Sequence, residues 1–306
     1  MKNQIVSHKL FELFERNKSK QFIFVEPGGN HGDYLIYKGA EKLAGLAGIK
    51  FKSVKHDDFM VSSYLDDAVI YIHGGGGFVP WWGGSVVKEL KKAVDSHRGV
   101  IIVGPQTYST DKLFLKREVV DNLGNNGSKE IFIFARDQIS YSALKECLPS
   151  WVNLELDHDT ALNLNSEDLA TNSKSSGYTL YSIREDPEKY AFKNKEYLSI
   201  WVDPVNYSKS FEEWVKIHAH AKKIITNRLH SAMAGTILGK ETILLPNSYY
   251  KNRAIWEFSL KSRGVIWKDE LPICLFSRLA EYIPPLKAIV KRSKFQSLIR
   301  KIHGFP

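Results

Sequence analysis

No apolar run in the chain approaches the roughly 18 to 20 residues that a membrane-spanning helix needs. The opening MKNQIVSHKLFELFERNKSKQ also lacks the apolar core of a signal peptide, so a cytoplasmic protein is expected. Cysteine is scarce: Cys147 and Cys274 stand in unrelated contexts without metal-ligand spacing, which argues against a disulfide framework or a zinc site. Tandem repeats and low-complexity tracts are missing. Acidic residues are outnumbered, 34 Asp and Glu against 43 Lys and Arg, for a formal net charge of +9. That excess points to an anionic partner. A nucleic-acid binder this basic would show a basic stripe or a known module; neither is visible, and nucleic acid is not expected as a partner.

What is present is an ordinary globular composition, 43% hydrophobic and 25% charged over 306 residues, long enough for two domains at roughly 100 to 200 residues each. From residue 21 to about 160, short apolar runs (22–25, 51–54, 68–72, 100–103, 131–134, 152–156) alternate with helical patterns (33–47, 85–96, 112–122, 138–147). This is the signature of a parallel sheet covered on both faces. A polar stretch at 163–177 reads as a linker. Further strands are expected at 178–183, 198–202, 222–225, 242–245 and 264–266, with helices at 210–219, 228–238 and 254–261. The expected fold is α/β, with two Rossmann-like domains facing a cleft: an N-terminal domain over 1–162, the linker 163–177, a smaller domain over 178–270, and a helical tail over 271–306. In that tail Lys287, Lys291, Arg292, Lys294, Arg300 and Lys301 interleave with Leu286, Ile289, Val290, Phe295, Leu298, Ile299 and Ile302. The spacing fits an amphipathic basic helix that either lies on an anionic membrane face or packs back on the protein with a solvated basic face.

The chemistry-bearing residues fall at expected strand ends. Asn227 is read as the N-cap of a helix that carries Arg228 and His230, so that backbone N–H groups, the helix dipole and a guanidinium converge on one anion site; the alternative is a satisfied Arg and a core His. The first turn, from Glu26 to Asp33, is glycine-rich but fits neither G-x-G-x-x-G nor a P-loop. Asp33 either caps the next helix or touches a ligand. His73 leads into Gly74-Gly75-Gly76-Gly77, whose N–H groups as a loop would face an anion or a sugar hydroxyl. Trp81 and Trp82 beyond it suit either sugar stacking or a core or interface role. Arg136 ends the fifth strand, pointing into the cleft or pairing locally with Asp137, and Lys251 either meets the anion at Arg228 or is merely solvated. Asp157-His158-Asp159 is not read as a metal site, because neighbours on an extended segment point to opposite faces. His218 and His220 do not share a helix face.

In order, Gly29-Asn30-His31-Gly32-Asp33, Gly74-Gly75-Gly76, Gly104-Pro105-Gln106, Arg136-Asp137 with Ser140, Arg228-Leu229-His230-Ser231 and the Tyr250-Lys251 turn resemble the polysaccharide pyruvyl transferase family. The resemblance spans about residues 21 to 260. It implies a two-domain, glycosyltransferase-B-like protein that moves the pyruvyl unit of phosphoenolpyruvate onto two hydroxyls of a sugar as a ketal. The sugar would be a lipid-linked or nucleotide-linked saccharide of cell-surface polysaccharide assembly. By the same resemblance Arg136, Lys251 and Arg228 would hold the donor and His230 would act as general acid or base. Asp33 would orient a hydroxyl or support its loop. Asn30, His31, His73, Gly75, Gly76, Trp81 and Gln106 would face the acceptor. Neither a metal nor a cofactor is called for. A nucleotide-sugar glycosyltransferase is the nearest alternative, disfavoured by the missing acidic residue between Arg228 and Leu238. A non-catalytic glycan-binding protein is disfavoured by the retention of Arg136 and His230.

Overall fold

Alternating side chains along short apolar strands build the first unit, Met1–Leu164. Its strands are β1 (Gln21–Glu26), β2 (Lys50–Lys55), β3 (Val69–Ile72), β4 (Gly75–Phe78), β5 (Val100–Tyr108), β6 (Glu130–Ala135) and β7 (Asn153–Leu156). They pair in parallel in the order β2-β1-β3-β5-β6-β7, with β4 beside the far end of β5. Ile23, Val25, Ile70, Ile72, Ile101 and Ile133 face one core. Their immediate neighbours Phe22, Phe24, Val69, Tyr71, Ile102 and Phe134 face the other, as the two-residue period of a strand requires. Helices α1 (His8–Arg16) and α2 (Tyr34–Ala47) cover the second core, while α3 (His56–Val61), α4 (Ser85–Ser96), α5 (Lys112–Glu118) and α6 (Gln138–Lys145) cover the first. Gly39 lets α2 lie against the backbone of Thr160, where any Cβ would overlap the Thr160 carbonyl.

The second unit, Asn165–Pro306, repeats the principle on a smaller scale. Strands β8 (Thr179–Ser182), β9 (Ile200–Val202), β10 (Lys223–Thr226), β11 (Glu241–Leu244) and β12 (Ile266–Trp267) pair in parallel in the order β12-β11-β10-β8-β9. Leu180, Ile200, Val202 and Ile224 face one core, and Tyr181, Ile183, Ile225 and Ile243 the other. Its helices are α7 (Pro204–Tyr207), α8 (Phe211–His220), α9 (Leu229–Ile237), α10 (Lys251–Ile255, continued by wider and tighter turns to Arg263), α11 (Leu275–Ala280) and α12 (Ser293–Ile302). Both units are therefore α/β, built on parallel sheets.

This computed structural model describes residues 5–64, 67–82, 84–124, 129–169, 177–193, 195–280, 282–283, 293–302 and 305. Much of the expected linker (170–176) lies outside them. So does the tail segment 284–292, with Leu286, Lys287, Ile289, Val290, Lys291 and Arg292. No helix among the described residues is long and apolar enough to cross a membrane.

Two points in these sheets matter for function. In an open parallel sheet, ligands bind beyond the carboxyl ends of the strands where the winding direction reverses. In the first unit the reversal falls between β1 and β3, whose carboxyl ends lead into the Gly28–Asp33 turn and His73. In the second it falls between β8 and β10, which lead into Arg184 and Arg228.

Candidate functional site

In the first unit, the turn after β1 is tied to itself. Asn30 N–H donates to Asp33 Oδ2 at 2.8 Å, and Gly32 N–H donates to Asn30 Oδ1 at 2.9 Å. Asp33 occupies the N-cap position of α2 but gives its side chain to the loop rather than to the helix. Gly29 sits at φ +125°, and a Cβ there would overlap Asp33 Oδ2, so only glycine permits this turn. Tyr37, one turn into α2, donates its hydroxyl to the Gly28 carbonyl. Burial together with the carboxylates of Asp33, Glu89 and Glu26 drives its ionisation far above the usual range. Asn30, His31 and Asp33 remain half-buried, and Tyr34 is exposed.

Four of the expected acceptor residues, His73, Gly75, Gly76 and Gln106, lie in or against the sheet and not in an open loop. The tetraglycine is not a nest: Gly75 and Gly76 lie in β4, with Gly75 in register with Gln106. His73 is fully buried, because it continues the parity of Val69 and Tyr71. Its ring packs 4.5 Å from Tyr37, 5.1 Å from Tyr71 and 5.3 Å from Phe24, and burial lowers its pKa to about 3. It is a neutral core imidazole. Gln106 is buried as well, donating to the His73 carbonyl at 3.1 Å and accepting from Gly77 N–H at 3.4 Å. It stitches β4 to its neighbours, with both ends of its amide engaged in these bonds. Trp81 and Trp82, just beyond β4, are about two-fifths exposed, at 41% and 42%.

Arg136 directly follows β6 and has a fully buried guanidinium. Its Nη1 donates to Asp159 Oδ2 at 2.5 Å and its Nε to Thr107 Oγ1 at 3.0 Å. The local pairing with Asp137 is replaced by one with a residue more than 20 positions away, while Asp137 caps α6 through Ser140. The Asp157-His158-Asp159 segment is used structurally. Asp157 accepts from Leu10 N–H of α1 at 2.9 Å, and Asp159 neutralises Arg136.

In the second unit the strand-to-helix junction is confirmed but its cap is not. Arg228, rather than Asn227, is the N-cap of α9. Asn227 is buried and spends its side-chain oxygen on Arg184 N–H at 2.8 Å. Arg228 donates through Nε and Nη2 to the two oxygens of Asp203, both at 2.5 Å, and through Nη2 to Asp186 at 2.9 Å. Arg184, which the sequence reading passed over, forks onto Asp186 at 2.8 and 2.9 Å and onto Glu188 at 2.6 Å. Lys251 also pairs with Glu188, and Asn247 donates to the same carboxylate at 3.2 Å. The result is one network of three cations and three carboxylates at the carboxyl ends of β8, β9, β10 and β11. Of the three carboxylates, Asp186 has the most exposed side chain, at 21% against 1% and 2%. Burial pushes its pKa up, but hydrogen bonds and charge from Arg184, with the charge of Arg228, outweigh this and hold it below the usual carboxylate range.

His230 lies on the first turn of α9, half-buried, two residues past Arg228. Beneath the helix, His218 accounts for both of its ring nitrogens, on the Trp214 carbonyl at 2.7 Å and Ser231 Oγ at 2.9 Å. Ser231 in turn meets Ser182 at 2.8 Å. Burial lowers the His218 pKa to about 4, so His218 is a neutral brace. The signal for Arg184 was present in the sequence: like Arg136 and Arg228, it stands within two residues of the end of a buried strand.

The family model described as Polysaccharide pyruvyl transferase matches residues 30–249 of the chain. Among solved structures, a crystal structure of an uncharacterized protein, KP1_0663, from Klebsiella pneumoniae subsp. pneumoniae is similar at 18% identity with a TM-score of 0.63. The match covers 86% of this chain and 98% of that one; at this identity it speaks for the fold alone. No curated protein matches.

Proposed function

We propose, from the premise that this chain belongs to the polysaccharide pyruvyl transferase family, that it transfers the pyruvyl unit of phosphoenolpyruvate to two hydroxyls of a saccharide, forming a ketal and releasing phosphate. The observation that carries this reading is the position of the Arg184, Arg228 and Lys251 network. It stands at the winding reversal of a parallel sheet, with His230 two residues along the same junction. An anionic donor small enough to be held by side chains alone suits such a place. The helix Leu229–Ile237 offers no acidic residue to hold a ribose, which favours a donor without one.

The chemistry follows from the residue types. Protonation of the methylene carbon of the enol phosphate by His230 leaves an oxocarbenium-like centre at the neighbouring carbon. One sugar hydroxyl attacks that centre as the now neutral His230 takes its proton back; the C–O bond to phosphate then breaks, and the second hydroxyl closes the ketal as its proton passes to the departing phosphate, which leaves as hydrogen phosphate. Arg228 and Lys251 hold the donor's negative charge, with Arg184 beside them. All three are already carboxylate-paired, so donor binding is an exchange of partners. Asp186, the most exposed carboxylate of the network, is the one the donor displaces, which releases Arg184 and Arg228, while Lys251 stays paired with Glu188 and contributes its charge from there. Within the first unit taken by itself, Asn30, His31 and Asp33 of the first turn and the exposed Trp81 offer polar groups and a stacking surface of the kind a sugar takes. The acceptor is assigned as a lipid-linked or nucleotide-linked saccharide, and the reaction to the cytoplasm.

The test is incubation with phosphoenolpyruvate and a panel of saccharide acceptors, following phosphate release and the new ketal methyl signal by NMR. Consumption of a nucleotide sugar with no reaction of phosphoenolpyruvate would transfer the assignment to a glycosyltransferase.

A further inference from the structure

The last helix, α12, packs on its own unit in only one orientation. Ile299 is buried against Tyr178, Leu180 and Ile217, with Phe295 and Phe305 packed beside it. The Phe305 ring stands 5.6 Å from Tyr178 and 5.0 Å from Tyr207. The Arg300 guanidinium lies 5.2 Å over the Tyr207 ring and 5.9 Å over Phe305. These contacts fix which side of the helix faces inward.

At 100° per residue, Phe295 and Ile299 form the inward stripe. Leu298 and Ile302 fall on the adjoining stripe, and Lys294 and Lys301 on the one beyond. The apolar arc of the helix is thus wider than the surface it buries. Leu298 is 54% exposed and Ile302 66% exposed, and both lysines beside them are exposed. A helix that is simply solvated would carry polar residues at these positions. Nearby in sequence, α11 and the residues after it leave Leu275, Leu279 and Tyr282 exposed as well. Residues 275–306 contain seven Lys and Arg against a single Glu, so an anionic partner is matched in charge as well as in apolarity.

We infer that the outward face of α12, formed by Lys294, Leu298, Lys301 and Ile302, docks the protein on an anionic phospholipid surface. Leu298 and Ile302 enter the headgroup boundary and the lysines meet lipid phosphates. Two short apolar insertions with two cations give reversible binding, not anchoring. The inference is independent of the donor chemistry.

The experiment is co-sedimentation of the full chain with vesicles of phosphatidylcholine alone and of phosphatidylcholine with phosphatidylglycerol at 3:1. Binding to the anionic vesicles only, weakened by salt, is expected. Lys294→Glu with Lys301→Glu should reduce partitioning by about fivefold or more per lysine. Leu298→Asp with Ile302→Asp should abolish it, with the thermal transition of each variant unchanged. Equal binding to both vesicles, no binding, or variants that bind like the parent would overturn the inference. So would a dimer in sedimentation velocity that the Leu298→Asp, Ile302→Asp variant dissociates, since a second copy would then cover this face.

Discussion

Replacing Glu89 with Gln should make the first unit more stable at alkaline pH and leave it nearly unchanged at acid pH. Glu89 lies on α4 with its side chain fully buried, one oxygen 2.9 Å from His56 Nδ1 and the other without a hydrogen-bond partner. Burial pushes its pKa from 4.5 up to about 7, against the opposing hydrogen bond and charge of His56. A folded-state pKa above the unfolded value means that the folded protein favours the protonated form. The stability this group allows is therefore fully present below pH 4.5 and is lost as pH rises through 7. At about 1.4 kcal/mol per pH unit, the loss approaches about 3 kcal/mol by pH 8 to 9. Glutamine keeps the shape and a polar contact to His56 but has no charge to bury, so the difference between variant and parent should grow from near zero at pH 4.5 to about 3 kcal/mol at pH 8.5. Because the two units need not unfold together, the readout should be local. Urea unfolding at each pH, followed by a hydrogen-exchange pulse at one fixed pH on peptides covering Ser85–Ser96, isolates the first unit. A difference that stays constant between pH 5 and pH 8.5 would refute the reasoning.

Asp203→Asn should destabilise the second unit by roughly 3 to 5 kcal/mol, because it removes a bidentate partner from the largely buried Arg228; urea unfolding read on peptides from α9 measures it, and an unchanged midpoint would deny the pair. Asp186→Asn should tighten phosphoenolpyruvate binding in calorimetry by freeing Arg184 and Arg228 of the carboxylate the donor displaces, whereas weaker binding would place the donor elsewhere. Gly29→Ala should cost about 1 to 3 kcal/mol of local strain and pull Asp33 from its loop, raising KM for the saccharide more than for the donor. His230→Ala should lower kcat by about 100- to 10,000-fold with the thermal transition retained, and full activity would remove it from the mechanism.

The central strands β1, β3, β5 and β6 were legible because each carries a run of Ile, Val, Phe or Tyr whose successive residues serve opposite faces, and the winding order follows from the alternation with helices. The same rule, applied one residue further, places His73 in the core, since it shares the parity of Val69 and Tyr71. The family resemblance assigns it instead to the acceptor, ahead of four glycines that read as a loop. Gly75 to Gly77 form a strand because β5 runs on through Gly104-Pro105-Gln106 beside them, with its register on β6 shifting between Val103 and Gln106. Irregular pairing of this kind leaves no periodic trace. The ion pairs were not legible at all. Arg136 with Asp159, Arg228 with Asp203 and Lys251 with Glu188 join residues from separate βα turns, which only the assembled sheet brings together. That difference bears directly on the site. A cation at a strand end reads from sequence as an open anion hole, yet each of these cations is held by a buried or partly buried carboxylate that costs too much to leave unpaired. The arginines and the lysine therefore arrive pre-oriented and electrically neutral. Under the proposed function, an anionic donor enters by replacing Asp186, the most exposed of these carboxylates, which would select for ligands whose negative charge is dense enough to compete with it.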